Sequence, residues 1–321
     1  MHNLIRFYNQ NRKAIWIGIG IIASLFILLQ LLNFIAKKNN NKIADSNYSN
    51  LVQEDKIQSD SKGNIATDKS VVTGDKLSSE SLKDQTSVIE QFLNLCKNNN
   101  DEEAYNMITD ECKEEMFNTV EDFKNIYLDS IFKTNGVTFK ISNWFGNTYK
   151  VDFTVGDMLS TGNPDDVENI QDYITLKSEN NETKVNINKY VGRYEVNREK
   201  EDNNIKISVI SKDIYMDYEK YKIKVENNTD NDILLDERKN INTMYIQDEK
   251  DVKHAAYTQE LTTPDLTVNN HGARTLTVKY YSAYTSSKKI DKLVFSDVVL
   301  NYSQDLDNVL NPQIGEISIN L

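Results

Sequence analysis

Two cysteines, Cys96 and Cys112, are the residues of this chain best suited to nucleophilic or redox chemistry. An exported location would permit a disulfide between them. Their helices are predicted to form a hairpin that turns near Asn99, which places Cys112 about 13 Å beyond the level of Cys96. A disulfide needs Cα atoms within about 7 Å of each other. Since no histidine stands near either thiol in the sequence, we interpret both cysteines as small core residues.

The three histidines of the chain, His2, His254 and His271, do not form a metal-binding motif. Their spacing from one another and from the cysteines is not that of zinc ligands. His271 stands in an Asn-Asn-His-Gly turn signal, and His254 follows a charged run typical of a solvated loop. The sequence therefore predicts no zinc site.

Four oxygen-bearing residues could together bind calcium. They are Asn228, Asp230, Asp232 and Asp236. An EF-hand loop requires glycine and glutamate at the positions that Ile233 and Lys239 occupy here, so these residues do not form an EF-hand calcium site. A shallow surface calcium site stays an alternative, but the pattern favours a polar hairpin tip. The same interpretation covers Asp305 and Asp307.

Acidic side chains cluster at residues 101–103 and 110–115, where pairs of carboxylates could serve acid/base chemistry. On a helix Glu111 shares a face with Glu115, and Asp110 shares one with Glu114. Both faces lie away from the apolar stripe, so we interpret them as hydrated surface. The sequence contains no glycine-rich phosphate loop, no GxSxG and no HExxH. We therefore assign no catalytic residue, no cofactor-binding residue, no metal ligand and no cofactor, and we expect a protein that is not an enzyme.

Four aromatic residues could surround a small-molecule cavity between helices and sheet. They are Trp144, Phe145, Tyr149 and Tyr173. Aromatic side chains at strand positions fill a core more often than they line a ligand pocket. Either outcome is compatible with the sequence.

Residues 14–36 read AIWIGIGIIASLFILLQLLNFIA, without a charged residue, which is long enough to cross the roughly 30 Å hydrocarbon core of a bilayer. Secretory signals have shorter apolar regions and a small-x-small cleavage site, whereas this run ends FIAKK. A lipoprotein would need a cysteine directly after the run, and none stands there. We expect an uncleaved transmembrane helix that binds the lipid bilayer.

The positive residues that flank this run are balanced, three before it and three after it within residues 1–42. We favour a cytoplasmic N-terminus, residues 1–13, because that tail has no acidic residue and long acidic regions are translocated largely regardless of charge. The remainder of the chain would then lie outside the cytoplasm. Small residues in the span, Ala14, Gly18, Gly20 and Ser24, would let two such helices approach closely, so a homo-oligomer is possible.

Net charge limits which partners the region after residue 42 can bind. The whole chain carries −12, and residues 1–42 contain six Lys and Arg without any Asp or Glu, which leaves −18 for residues 43–321. Such a region repels nucleic acid and anionic headgroups. Residues 37–81 are rich in Asn, Ser, Asp and Lys and lack a sustained period, which predicts a flexible linker with a reach of roughly 35 Å.

Residues 82–197 begin with helical spacing and continue with strand-like alternation. Three amphipathic helices are predicted up to residue 131, the third introduced by a capping box at Thr119. Short alternating runs follow Gly136, which are typical of an antiparallel sheet with one packed face. Helices first and a sheet after them predict an α+β domain.

The segment FLNLCKNNNDEEAYNMITDECKEEMFNTVEDFKNIYLDSIF, followed by these strands, resembles the NTF2-like family over roughly residues 82–195. That resemblance implies helices over a curved antiparallel sheet, in a family that includes enzymes, small-molecule binders and structural modules. Together with the short tail and single span, it also resembles bridge subunits of type IV secretion and conjugation machines. The Gram-positive subunits of that kind carry two such domains, a pattern from which this chain departs.

Residues 203–321 read as eight short strands separated by polar turns, which is typical of an all-β sandwich. Its architecture resembles the immunoglobulin-like fold, although the region has no Cys and no Trp. We therefore expect a single-pass bacterial cell-envelope protein whose extracytoplasmic modules bind or position a protein or an envelope polymer. The alternatives are a conjugation-machine bridge subunit, and a small-molecule binder or enzyme that uses an NTF2-like cavity.

Overall fold

Capping residues and apolar spacing build the helices at the start of the folded region. A computed structural model describes residues 65–67, 70, 72, 79–133, 136–156, 168–237, 239–285, 288–303 and 312–321, all within the unit Gly63–Leu321. The predicted tail 1–13 and span 14–36 lie outside these residues, as does most of the linker 37–81. None of the described helices has the length and apolar character that crossing a membrane requires.

The first helix, α1, has the predicted apolar stripe. It runs Ser79–Lys97, and Ile89, Phe92, Leu93 and Cys96 are buried along it. The helices that follow are α2 Asp101–Asn106, α3 Asp110–Met116, α4 Val120–Phe123 and, after a π-helical turn Lys124–Leu128, α5 Asp129–Ile131.

The predicted second helix is interrupted between α2 and α3. Ile108 forms a parallel bridge with Val185, and the Thr109 side chain accepts a hydrogen bond from the Cys112 amide to start a new helix. The predicted capping box before α4 is confirmed, because the side chain of Thr119 and that of Asp122 each bond the other's backbone N–H.

Five strands form the first sheet, in the order β1-β2-β3-β4-β5. They are β1 Ile65–Thr67, β2 Thr138–Phe145, β3 Thr148–Val155, β4 Glu168–Glu179 and β5 Glu182–Asn186. All neighbours are antiparallel except β1 and β2. The structure thus differs from the flexible-linker prediction at β1, and nearby the Ser70 hydroxyl donates to the Trp144 carbonyl at 2.6 Å.

The second half of the chain forms two further sheets. One has four antiparallel strands in the order β13-β8-β7-β6, comprising β6 Tyr190–Asp202, β7 Ile205–Tyr215, β8 Glu219–Asn227 and β13 Gly272–Tyr280. The other has the order β11-β10-β14-β9-β12 with β15 added to β14. Its members are β9 Asp232–Leu234, β10 Met244–Asp248, β11 Lys253–Ala255, β12 Thr267–Val268, β14 Ile290–Tyr302 and β15 Ile314–Asn320. The short helices Thr258–Glu260 (3-10) and α6 Thr263–Leu266 connect β11 to β12.

Two large apolar cores follow from this arrangement. The first lies between the helices and the first sheet and is rich in fully buried aromatic side chains, including Phe92, Phe117, Phe123 and Tyr149. The second lies between the two later sheets and is built mainly from Ile, Leu and Val. Strand β6 joins the two halves, because it begins in the first core with Tyr190 and continues as part of the four-stranded sheet.

The predicted fold class, a membrane-anchored α+β NTF2-like domain followed by an all-β immunoglobulin-like sandwich, is wrong for the part of the chain that the structure describes. The described part of the chain is mainly β, with 50% strand and 22% helix, and has no membrane-spanning helix. The helices contribute less than predicted because the second is interrupted and the third ends in short turns. The strands contribute more, since β4, β6 and β14 have 12 or 13 residues each.

Candidate functional site

The two thiols are enclosed in the first core. Cys96 and Cys112 are both free and buried, which confirms their interpretation as core residues. Burial raises the pKa of Cys112 to about 12 and raises that of Cys96 as well. A thiol in this environment is neither ionised nor accessible, so these residues do not offer a nucleophile.

Each described histidine contacts one carboxylate rather than a metal-ligand set. His254 Nε2 lies 3.4 Å from Asp248 Oδ2, and its Nδ1 lies 3.2 Å from the Tyr281 carbonyl. His271 Nε2 lies 3.2 Å from Asp230 Oδ1 at the surface. Over the residues that the structure covers, no three potential ligands are grouped so that they could hold a metal ion.

The four candidate calcium ligands are divided between two places. Asp232 Oδ1 accepts a hydrogen bond from the Asn270 amide at 2.8 Å, and Asp230 contacts His271, so both belong to a polar hairpin tip. Asp236 is 3% exposed and its Oδ1 accepts a hydrogen bond from Thr243 Oγ1 at 3.0 Å. Asp305 and Asp307 lie outside the described residues.

The acidic face of α3 is a packing surface, so its interpretation as hydrated surface is wrong in part. The Glu115 carboxylate accepts hydrogen bonds from Tyr215 at 2.7 Å and from Lys220 at 2.6 Å. Glu111 accepts one from Asn186 at 3.1 Å. Asp110 and Glu114 are exposed, as predicted.

Arg193 on β6 connects α3 to the four-stranded sheet. Its Nη1 lies 2.9 Å from Glu114, its Nη2 3.7 Å from Glu115, and its Nε donates to Asp213 at 2.9 Å. Tyr190 also donates to Asp213, at 2.7 Å. Burial lowers the pKa of the Arg193 guanidinium, but the hydrogen bond to Asp213 and the negative charge of that carboxylate outweigh burial and raise it, which keeps Arg193 positive. This network holds structural elements together and leaves no acid/base pair open to substrate.

Asp172 is the most completely bonded carboxylate in the first core. Its Oδ2 accepts from the Tyr127 hydroxyl at 2.9 Å and from the Asn188 amide at 3.0 Å. Its Oδ1 accepts from the amides of Tyr173 and Lys189, at 2.7 and 2.8 Å. Burial raises the pKa of Asp172, although the four hydrogen bonds that it accepts act in the opposite direction. A carboxylate surrounded in this way positions the turn after β5 rather than meeting a ligand.

A serine, a lysine and a glutamate meet in a second enclosed cluster that the sequence did not indicate. Glu219 Oε1 accepts a hydrogen bond from Ser282 Oγ at 2.6 Å and lies 3.4 Å from Lys288 Nζ, which also donates to Ser282 Oγ. Burial lowers the pKa of Lys288. Serine–lysine pairs can catalyse acyl transfer. Here Ser282 is fully buried and directs its proton to Glu219, so no substrate can reach it.

The four predicted cavity aromatics lie in different places. Tyr149 is buried in the first core, where its hydroxyl donates to Gln85. Trp144 and Tyr173 pack edge to face at 5.2 Å against a separate small cluster with Val191. Phe145 contacts Tyr284 at 6.1 Å. They fill space in two clusters and do not together line a ligand cavity.

An open cleft lies instead at one end of β10. The loop between β9 and β10 bends over it, with Asn242 at φ +60°. The cleft has a volume of about 210 Å³, and its lining consists of Asp236, Asn240, Ile241, Asn242, Thr243, Met244, Ala256 and Thr258. Its floor is fixed, because the Ala256 amide donates to the Met244 carbonyl at 2.9 Å.

Both polar and apolar side chains line this cleft. The Asp236 carboxylate and the amides and hydroxyls of the loop supply hydrogen-bond acceptors and donors. The Asn240 side chain is held from outside by a 2.7 Å hydrogen bond to Asp297. Ile241 stands at the lip with 88% of its surface exposed. The lining has no thiol, histidine or lysine, so it suits recognition of a polar group beside an apolar one.

No protein-family model, curated protein or solved structure matches this chain. The resemblances to NTF2-like and immunoglobulin-like families, and to conjugation bridge subunits, therefore stay predictions. What the cleft does has to be argued from its own residues.

Sequence reasoning missed the cleft because its lining comes from two segments, 236–244 and 256–258, that β10 and β11 bring together. Asp236 was identified only as a possible calcium ligand, and Ile241 was not identified as a candidate. The one available signal was an isoleucine within a run of Asn and charged residues, 237–242, where an apolar side chain has no core to enter.

Proposed function

We propose that this chain is a single-pass, membrane-tethered protein of the bacterial cell envelope that binds a partner outside the cytoplasm and is not an enzyme. The cleft between residues 236–244 and residues 256–258 is its recognition site. The observation that carries this proposal is the composition of the cleft, which joins a carboxylate, amides and hydroxyls to one exposed isoleucine. Such convergent polar groups at an open concave surface are typical of binding sites.

The other titratable clusters support binding over catalysis. Asp172 and Glu219 are each surrounded by donors from this chain, and both thiols are buried. A general base or nucleophile has to reach the substrate, and these groups are enclosed. The accessible chemistry of the described residues is therefore hydrogen bonding and apolar contact.

The tether and its direction are supported by the sequence of residues 1–42. The uncharged run 14–36 is long enough to span a bilayer, and the tail 1–13, which is positive and has no acidic residue, favours a cytoplasmic N-terminus. A protease added to intact cells should then digest the region after residue 62 while leaving the N-terminal tail intact. Complete protection of the whole chain would contradict this topology.

Photo-crosslinking in living cells tests the recognition site directly. A photoreactive amino acid replaces Ile241 at the lip of the cleft, or Val252 as the matched control. Val252 is also an exposed aliphatic residue, but it lies in the β10–β11 turn at the other end of β10. Since the two ends of β10 are roughly 14 Å apart, a group seated in the cleft lies next to position 241 and beyond direct contact with position 252.

We expect a discrete crosslinked species from position 241 and none of the same mass from position 252. Thr243→Val in the same chain removes the hydroxyl that donates to Asp236 and should reduce the yield at position 241 severalfold. Equal capture at both positions, or capture at neither, would reject the cleft as the recognition site.

A further inference from the structure

Three tyrosines and one lysine form a continuous, partly exposed row beside the ends of β8, β11 and β13. Lys279 Nζ lies 4.2 Å from the centre of the Tyr218 ring and 5.1 Å from that of Tyr257. Tyr257 in turn meets Tyr281 at 5.5 Å, with the two rings nearly perpendicular. We refer to Tyr218, Lys279, Tyr257 and Tyr281 as the tyrosine row.

The row is accessible, unlike most of the large aromatic side chains of the chain. Tyr281 is 54% exposed, and the other three members are half-buried. Tyr190, Tyr221 and Tyr280, by contrast, are fully buried. Tyr218 packs against the first core and stacks on Tyr215 at 4.3 Å, so the ring surface open to a ligand comes from Tyr257 and Tyr281.

The backbone holds the row in a fixed arrangement. The Tyr257 amide donates to the Lys279 carbonyl at 2.7 Å, and the Tyr281 amide donates to the Ala255 carbonyl at 3.0 Å. These two bonds join β11 to the end of β13. Rings on paired extended segments lose little conformational freedom when a ligand binds, which favours affinity.

The row is separate from the cleft. Ala256 and Thr258 line the cleft, whereas Tyr257 between them is not part of its lining. A ligand on the row therefore contacts a different surface from a ligand in the cleft.

The charge of the row is balanced. Lys279 contributes one positive charge, and Glu260 contributes one negative charge close to Tyr281. Burial, the neighbouring Tyr257 and the Glu260 carboxylate together raise the pKa of Tyr281, so its hydroxyl stays protonated and can donate. An anionic polymer would in addition be repelled by the net charge of −12.

We infer that the tyrosine row binds a neutral polysaccharide strand. A sugar ring has an apolar C–H face and a rim of hydroxyls, and the rings of Tyr257 and Tyr281 offer apolar surface beside the Lys279 ammonium and the Glu260 carboxylate. Amphipathic tyrosine rings suit such mixed contacts because each has an apolar body and a polar tip. This inference is independent of the cleft and goes beyond it.

Sedimentation of the full chain with insoluble glycan tests the inference. The probe is insoluble chitin, a neutral polymer of N-acetylglucosamine, with a soluble N-acetylglucosamine oligosaccharide as competitor. Tyr257→Ala and Tyr281→Ala each remove one ring, and Tyr257→Phe keeps the ring while removing the hydroxyl. Tyr194→Ala is the matched control, because Tyr194 is also exposed and has a lysine, Lys177, 4.6 Å from its ring centre but lies outside the row.

We expect the native chain to sediment with the glycan and the oligosaccharide to release it. Each alanine variant in the row should weaken binding about tenfold, as truncation of a central interface tyrosine commonly does, while Tyr194→Ala stays at the native level. Tyr257→Phe should retain most of the binding. Circular dichroism identifies any variant that has lost its fold.

Three results would overturn the inference. They are absence of sedimentation by the native chain, equal losses in Tyr194→Ala and the row variants, and binding to a polyproline peptide in place of glycan. Binding to the polyproline peptide would instead indicate that the row recognises proline-rich protein segments, which also bind in grooves lined by aromatic rings.

Discussion

Asp172 and Asp236 are equally buried, with 3% exposure each, yet only Asp236 lines the cleft that we propose as the recognition site. Asp172 lies in the helix-covered half, residues 79–189, and its two oxygens accept four hydrogen bonds from the chain. Asp236 lies in the two-sheet half, residues 190–321, and borders a cleft of about 210 Å³. Burial alone therefore does not indicate the role of a carboxylate. Whether an open cleft lies beside the carboxylate is the more informative observation.

The same contrast holds for the two halves as wholes. Charged groups of the helix-covered half, such as Glu111 and Glu115, reach across to lysine, asparagine and tyrosine of the chain itself. The two-sheet half keeps its own enclosed cluster at Glu219, but it also presents the cleft and the tyrosine row. We attribute stability to the first set of groups and recognition to the second.

Asp172→Ala should have the largest effect on stability. It leaves the Tyr127 hydroxyl and three backbone amides without an acceptor inside the core, and we expect a loss of about 3–5 kcal/mol in the free energy of unfolding. Tyr127→Phe removes a single donor and should cost about 1–2 kcal/mol. Urea unfolding followed by circular dichroism measures both. If the alanine variant were as stable as the native chain, the structural role of Asp172 would be refuted.

Arg193→Ala should have the next largest effect. The change removes contacts to Glu114, Glu115 and Asp213 and leaves the largely buried Asp213 with Tyr190 as a remaining donor. We expect a loss of about 1–3 kcal/mol, since hydrogen bonds to charged groups contribute in that range. The same urea titration measures it, with Arg198→Ala on the exposed end of β6 as control. Equal stability of the two variants would count against the network.

Asn240→Ala should affect binding much more than stability. The side chain makes one exposed hydrogen bond, to Asp297, so its removal should change the free energy of unfolding by about 0.5 kcal/mol or less. It also removes part of the cleft lining, so the crosslinking yield from position 241 should fall. If Asn240→Ala unfolded readily but still crosslinked at the native level, Asn240 would serve stability and not binding.

The thiols should give the smallest response of all. Since burial raises the pKa of Cys112 to about 12, the thiolate fraction at about pH 8 is far smaller than for a thiol at its ordinary pKa of 9.0. We expect iodoacetamide to leave both cysteines unmodified in the folded chain and to alkylate both in urea. Mass spectrometry counts the adducts. Rapid modification of the folded chain would show that the first core opens.

Local signals in the sequence predicted local features well. The capping box at Thr119 and Asp122 depends on residues three positions apart, and the turn between β4 and β5 is made by Asn180 and Asn181, both with positive φ. The stripe of α1 was predictable for the same reason, because helical period is visible within one segment.

Features that depend on distant pairing were not predictable. Glu115 was expected at a hydrated surface, but it contacts Tyr215, 100 positions away, and Ser282 meets Glu219 across 63 positions. Neither partner can be identified from a window of neighbouring residues. The fold class failed for a related reason, because the interruption of the second helix at Ile108 is caused by its bridge to Val185.

The most direct test of the central claim compares one exposed isoleucine from each half. Ile126 is 49% exposed in the π-helical turn of the helix-covered half, and Ile241 stands at the lip of the cleft. With a photoreactive amino acid at either position in living cells, the account predicts a discrete partner adduct from position 241 and none from position 126. Capture of a partner at position 126 without capture at position 241 would contradict it and place recognition in the helix-covered half.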